Sequence, residues 1–282
     1  MDVQSLGPLK VGSLLWQSPR GGWVLTIAAK ATFELTQGEA RLAERQEELL
    51  SRDRGYDDGP GVQAPTDLAP FKPLVDLLVV GHAFAAREEP PRPIVARVAV
   101  GEIDKSLELG VESRLDVDAG GAGPVRLRLP RDVGGDVEVP GLGPLPETAR
   151  ARRERLGRHA GSWSSTELGE RPLPEEIDPA FFNTAPRDQR LQLLREDAVI
   201  ALDHLHPTQP RVATKLPGIR ARAFSETEQG VADVRMAADT LWIDADRGVA
   251  TVTWRGQVLL EAPTQAGTVL VTVEHASRPL AW

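Results

Sequence analysis

The stretch TDLAPFKPLVDLLVVGHAF, residues 66–84, decides how this chain is read. It joins a stiff cluster, Pro70-Phe71-Lys72-Pro73, to an apolar run at 74–80 that only Asp76 interrupts. A short apolar run bounded by turn residues suits a strand buried on both faces. Residues 74–80 are therefore expected to form a central strand. Asp76 should then be buried with a hydrogen-bonding partner, because an isolated buried carboxylate costs several kcal/mol. Before it, proline fixes φ and restrains the residue that precedes it. The loop is expected to be rigid, with its turn set by Asp67 and its path by Pro70 and Pro73. Lys72 should point outward, and Phe71 toward the sheet or a groove.

Working outward, strand patterns dominate. In GGWVLTIAAKATFEL (21–35), Trp23, Leu25 and Ile27 share one face by period two. The segment 94–111 alternates and turns near Gly101, as a hairpin would, and 123–130 alternates Val125, Leu127 and Leu129 with Arg126 and Arg128. Asp246-Arg247-Gly248 reads as a turn between two alternating strands in 241–260. Residues 40–50 favour helix by composition but end in a turn-rich run. The part from about 141 to 190 differs, being rich in Pro, Gly, Glu and Arg, with one short helix expected over 146–159. The expected fold is mainly β, an antiparallel sandwich-like architecture formed by one domain over 1–282 with an irregular insert at about 141–190.

Composition narrows the classes of function. The chain has 282 residues, 41% hydrophobic and 26% charged, which fits a globular protein with a sizeable core. A net charge of −8 argues against nucleic acid as a partner. Without cysteine there is no thiolate nucleophile, thiolate metal site or disulfide. No apolar run approaches the 18 or so residues of a membrane span, and the N-terminal sequence lacks the pattern of a signal peptide. A cytoplasmic location is the expectation.

The motifs of chemistry are mostly missing. Neither a G-x-S-x-G elbow nor a P-loop occurs, and Gly141-Leu142-Gly143 runs into prolines where a dinucleotide fingerprint needs its third glycine. His204 and His206, two apart on an expected strand, would share a face and could share a metal, but no third ligand can be placed. Asp244-Ala245-Asp246 opens like a calcium loop and lacks the later acidic ligands, so turn chemistry explains it better. Asp67 and Asp76 could in principle form an acid/base pair, with no nucleophile or cofactor loop beside them. The arginines at 150, 152, 153, 155 and 158 make either a solvated helix face or a surface for an acidic partner. The reading carries no catalytic residue, metal site or cofactor.

With these segments assembled, the chain resembles a bacterial family labelled as a domain of unknown function. The matching residues are KATFEL (30–35), TDLAPFKPLVDLLVVGHAF (66–84) and DPAFFNTAPRDQ (178–189), with looser matches at KLPGIRARA (215–223) and DTLWIDADRGVATVTWRG (239–256). The resemblance implies genes beside those of type VI secretion and an adaptor or chaperone role for a secreted effector protein. The further partner it implies is a PAAR-type tip or VgrG-type spike protein. One stretch departs from the family pattern: GLGPLPETARARRERLGRHAGSW (141–163) stands where relatives carry an aromatic, basic segment ending in Gly-Gly.

An adaptor needs rigid anchors with polar rims rather than catalytic groups. The candidate protein-binding residues are Phe71, Lys72, Phe181, Phe182, Asn183 and Arg187. The three phenylalanines either form a preorganised patch or pack inward at one end of the sandwich. The two proline-bounded loops are expected to pack together, with Lys72, Asn183 and Arg187 on the rim. The alternative, from a different class, is a metal- or ligand-dependent hydrolase on a β-scaffold using His204 and His206.

Overall fold

A computed structural model describes residues 1–85, 93–110, 125–131 and 141–277. Parts of two segments read above as strands, residue 111 and residues 123–124, lie outside the described residues. The fold is mainly β.

A seven-stranded sheet organises the chain. Its order runs Arg190–Leu191, Val75–Val80, Ala237–Asp244, Val249–Leu260, Trp23–Glu34 and Lys10–Gln17, with Arg41–Leu42 also paired to Trp23–Glu34. The Asp246-Arg247-Gly248 turn joins its two long neighbours as expected. Asp244 Oδ1 accepts from the backbone N–H groups of Asp246 and Arg247 at 3.0 and 3.2 Å, and Gly248 supplies φ 62°. The 94–100 and 103–109 strands form the hairpin around Gly101, inside a five-stranded sheet with 199–203, 211–215 and 38–39. A four-stranded sheet orders 2–5, 268–275, 219–227 and 230–234.

Period two decides what each face of the large sheet carries. Leu25, Ile27, Ala29, Ala31 and Phe33 enter one hydrophobic cluster with Val75, Leu77, Val79, Leu241, Ile243, Val252 and Trp254. The same cluster takes Ile94, Val98, Ile200 and Leu202 from the five-stranded sheet and Ala223, Val269 and Val271 from the four-stranded one. These sheets therefore meet across one core. The opposite face carries Thr26, Lys30, Thr32, Asp76, Thr240, Thr251, Thr253 and Arg255, all buried. A polar sheet face is buried here because loops and the 141–190 insert cover it.

Three features differ from the sequence reading. The sheets are not purely antiparallel: 75–80 pairs in parallel with 237–244, and 2–5 with 268–271. The 75–80 strand is buried throughout but lies second from an edge, flanked outside by two residues only. Residues 43–50 form neither helix nor strand, because side chains use up the local backbone groups. Gln46 accepts from Thr32 N and donates to Thr32 O, at 2.7 and 3.2 Å, and so extends the sheet edge as a strand would. The insert keeps its expected helix, a single α-turn at Arg150–Arg153 running into a 3₁₀ segment at Glu154–His159.

A close approach fixes one glycine. A Cβ at Gly256 would lie 2.9 Å from the Arg235 carbonyl oxygen and 2.5 Å from Met236 Sδ. Gly256→Ala should therefore lower the unfolding free energy by about 1–3 kcal/mol, read from a urea midpoint at unchanged slope.

Candidate functional site

The 66–73 loop lies across the polar face of the large sheet and is fastened at nearly every residue. Thr26 Oγ1 and Gln257 Nε2 donate to the Pro70 carbonyl at 2.7 and 3.0 Å. Arg255 Nη1 donates to the carbonyls of Asp67 and Ala69 at 2.7 and 2.9 Å. These contacts are dictated by register: Lys30 stands opposite Thr253, and Thr26 opposite Gln257, so one face presents a line of donors beneath the loop.

Asp67 does not set the turn, contrary to expectation. Its carboxylate points down into the sheet and accepts from Lys30 Nζ at 2.9 Å, Leu50 N at 2.8 Å and Thr253 Oγ1 at 3.0 Å. Thr66 takes the turn role instead, accepting from Leu68 N at 3.1 Å.

Lys72 also differs. It does not point outward: its side chain is 1% exposed, and Nζ donates to Asp76 Oδ2 and Thr240 Oγ1, each at 2.8 Å. A lysine between two prolines is buried here because a carboxylate and a hydroxyl wait for it below. Asp76, fully buried as expected, receives five donors. Asn183 Nδ2 and Ala185 N serve Oδ1 at 2.9 and 3.2 Å. Lys72 Nζ, Thr184 N and Thr184 Oγ1 serve Oδ2 at 2.8, 2.8 and 3.1 Å. Burial alone would raise the Asp76 pKa, but the Lys72 charge and the hydrogen bonds from Lys72, Thr184 and Asn183 outweigh it and hold the carboxyl below its ordinary 3.8.

The polar chain continues sideways. Thr240 Oγ1 donates to Asp239, which pairs with Arg255. One buried network thus ties the 66–73 loop, four strands of the sheet and residues 183–185 together.

Those last residues belong to the second loop. Asp178 accepts from Ala180 N at 2.9 Å and Pro179 follows it, which starts the short 3₁₀ turn Pro179–Phe182. This turn sets Phe181 and Phe182 inward, at 0% and 4% exposure. Phe182 meets Phe71 edge-on at 5.1 Å between ring centroids, Phe181 meets Trp163 at 5.6 Å, and Phe71 touches Trp16 at 5.8 Å. The two loops do pack together, and the aromatic groups turn inward.

Of the six candidate binding residues, Arg187 alone is exposed; Phe71 is half-buried, and Phe181, Phe182, Asn183 and the Lys72 side chain are enclosed. Lys72 and Asn183 are therefore bracing groups and do not belong to a rim. His204 and His206 follow the end of the 199–203 strand and do not sit on it. His204 has φ 58° and its Nδ1 lies 2.9 Å from the Phe84 carbonyl oxygen. Among the described residues no three His, Asp or Glu side chains are grouped to hold a metal.

The basic run divides as well. Arg150 and Arg158 are exposed, whereas Arg152 is buried and donates from Nε and Nη1 to the carbonyls of Phe181 and Leu145 at 3.2 and 2.9 Å. Arg152 lines a cleft of about 480 Å³ between the two loops, the insert and residues 51–53. Lys30, Thr26, Thr240, Asp239 and Arg255 escaped the sequence reading. Their trace is the alternation of Thr251, Thr253 and Arg255 with apolar residues, a polar sheet face with nothing in the sequence to say what covers it.

The class so defined is a β-rich scaffold in which two proline-bounded loops are locked over a polar sheet face beside an open cleft. The chain belongs to a bacterial family described as an uncharacterized protein conserved in bacteria (DUF2169), whose model matches residues 20–128 and 127–255. No curated protein and no solved structure matches it.

Removal of one buried partner leaves the other charge stranded. Lys72→Met should therefore destabilise by about 3–5 kcal/mol in chemical denaturation. Phe182→Ala should cost about 3–5 kcal/mol through the cavity it leaves. Because the folded pKa of Asp76 is depressed, its contribution is complete above the ordinary 3.8 and is lost as pH falls through the folded value. Asp76→Asn should accordingly lower stability at neutral pH and flatten its decline below about pH 3.8, measured by urea titrations at a series of pH values.

Proposed function

We propose that this protein is a non-enzymatic binding protein, an adaptor or chaperone that holds a secreted effector in the cytoplasm and assists its loading onto a PAAR-type tip or VgrG-type spike. The observation that carries the reading is the saturation of the reactive-looking groups. Asp76 accepts five hydrogen bonds, Lys72 is spent on Asp76 and Thr240, and Asp67 is spent on Lys30, Leu50 and Thr253. Groups held in this way brace a surface and keep it preorganised, which lowers the entropic cost of gripping a partner. The resemblance of the two loop motifs to a family encoded beside secretion genes supports the same role.

Arg187 is the candidate left at the surface. Arg187→Glu should keep the wild-type melting temperature and slow association with the effector, with a changed salt dependence, since rim charges act on the on-rate. The protein purified with the products of its neighbouring genes should retain an effector polypeptide. Neighbourhoods without any spike, tip or toxin gene, or no polypeptide partner among those products, would sink the reading.

A further inference from the structure

Arg152 is the exception among the deeply buried cations. Lys30 and Lys72 lie 2.9 and 2.8 Å from Asp67 and Asp76, and Arg255 pairs with Asp239. Arg152 is equally buried, 6% exposed, yet among the described residues no carboxylate oxygen reaches its guanidinium. Its Nε and Nη1 rest on two carbonyls and its Cζ lies 5.1 Å from the Phe181 ring centroid, while Nη2 makes no hydrogen bond among the described residues and is not one of the side-chain atoms buried without a partner. Buried charges are ordinarily paired, because desolvation otherwise costs several kcal/mol. The bonds to Leu145 and Phe181, one on each side of the helical turn, fix this guanidinium at the wall of the cleft instead of letting it swing into solvent.

The cleft fits a ligand. Its volume of about 480 Å³ falls in the range of small-molecule sites, roughly 300–1,000 Å³. Leu14, Leu68, Leu168 and Phe182 give it apolar walls. Two acids also line it, each fixed by neutral donors and facing the Arg152 charge: Glu147 accepts from Ser165 N and Oγ at 3.1 and 2.6 Å, and Asp53 accepts from Thr66 N at 2.8 Å. Arg52 adds a second positive charge at the exposed mouth.

We propose that this cleft binds a carboxylate carried on an apolar body, with the Arg152 guanidinium as its ion partner. The planar guanidinium suits a carboxylate, which two N–H groups can hold at once. The apolar walls take up the body that carries it. The site stands whether or not the protein serves a secreted effector. The carboxylate has two sources, a free carboxylic acid or the C-terminus of a polypeptide. Burial pulls the Arg152 pKa down, and the charges of Asp53, Glu147 and Asp76 oppose that shift; a guanidinium remains protonated in proteins and so can meet an anion.

Calorimetry with three probes tests the site on the full chain: N-acetyl-leucine, its amide, and an N-acetylated Ala-Ala-Ala-Leu peptide with a free C-terminus. The acid should bind at least about tenfold tighter than the amide, the difference of one charge-assisted hydrogen bond. A peptide tighter than N-acetyl-leucine assigns the polypeptide source, and equal affinities assign the free acid. Arg152→Gln, which removes the charge, should abolish the preference for acid over amide. Because that residue is buried, a second variant at the exposed mouth, Thr166→Trp, should block binding while the melting temperature stays unchanged. Equal binding of acid and amide, no binding of any probe, or unchanged binding to a folded Thr166→Trp protein would overturn the proposal.

Discussion

The Asp76 carboxylate is the constraint on which the rest of this structure depends. It lies at zero exposure on the polar face of the large sheet, and its charge is tolerated only because five donors converge on it. Those donors come from two loops more than a hundred residues apart in sequence. The carboxylate therefore dictates that residue 72 bend down to the sheet and that residues 183–185 be brought beside it. The aromatic contacts of Phe71 with Phe182 follow from that placement. Hydrophobic burial alone would leave the two loops free to slide, whereas directional bonds to one anion hold them in a single arrangement.

The strands were legible because burial repeats every two residues. Leu25 to Phe33, Val75 to Val79 and Ala250 to Trp254 each show the apolar half of the pattern that the core uses. The turn at Asp244 to Gly248 was equally readable, since its geometry depends on residues that are adjacent. The paired loops were readable in part, from their shared make-up of acid, aromatic residues and prolines. What escaped was the destination of each charge. Lysine between prolines looks solvent-bound until the hydroxyl of Thr240, 168 residues away, comes into view. Arg152 looks like any member of a basic run until the carbonyls of Leu145 and Phe181 capture it. Such partners are set by the folded topology, and no local spacing encodes them.

The insert has a physical purpose in this arrangement. Trp163, Leu156, Leu173 and Ile177 join Trp16, Val24 and the two phenylalanines in a separate apolar cluster. That cluster seals the polar network from water on one side, which lowers the local dielectric and strengthens every bond within it. It also forms a wall of the cleft through Leu168 and Phe182. Residues 141–163 give Glu147 and Arg152 to the same cleft, whereas the two proline-bounded loops are held by the sheet beneath them.

The parallel pairing of 75–80 with 237–244 has a consequence for how the chain reaches this state in time. During synthesis the strand with Asp76 leaves the ribosome more than 150 residues before its neighbour in the sheet. Arg255, which fastens the 66–73 loop, is later still. Contacts so distant in sequence close slowly, and an unpaired strand edge meanwhile invites aggregation. The apolar run at 74–80 with one carboxylate at its middle carries its own protection, since an unpaired Asp76 disfavours burial of that strand against another copy. The anion that locks the finished fold is thus also a guard on the nascent one.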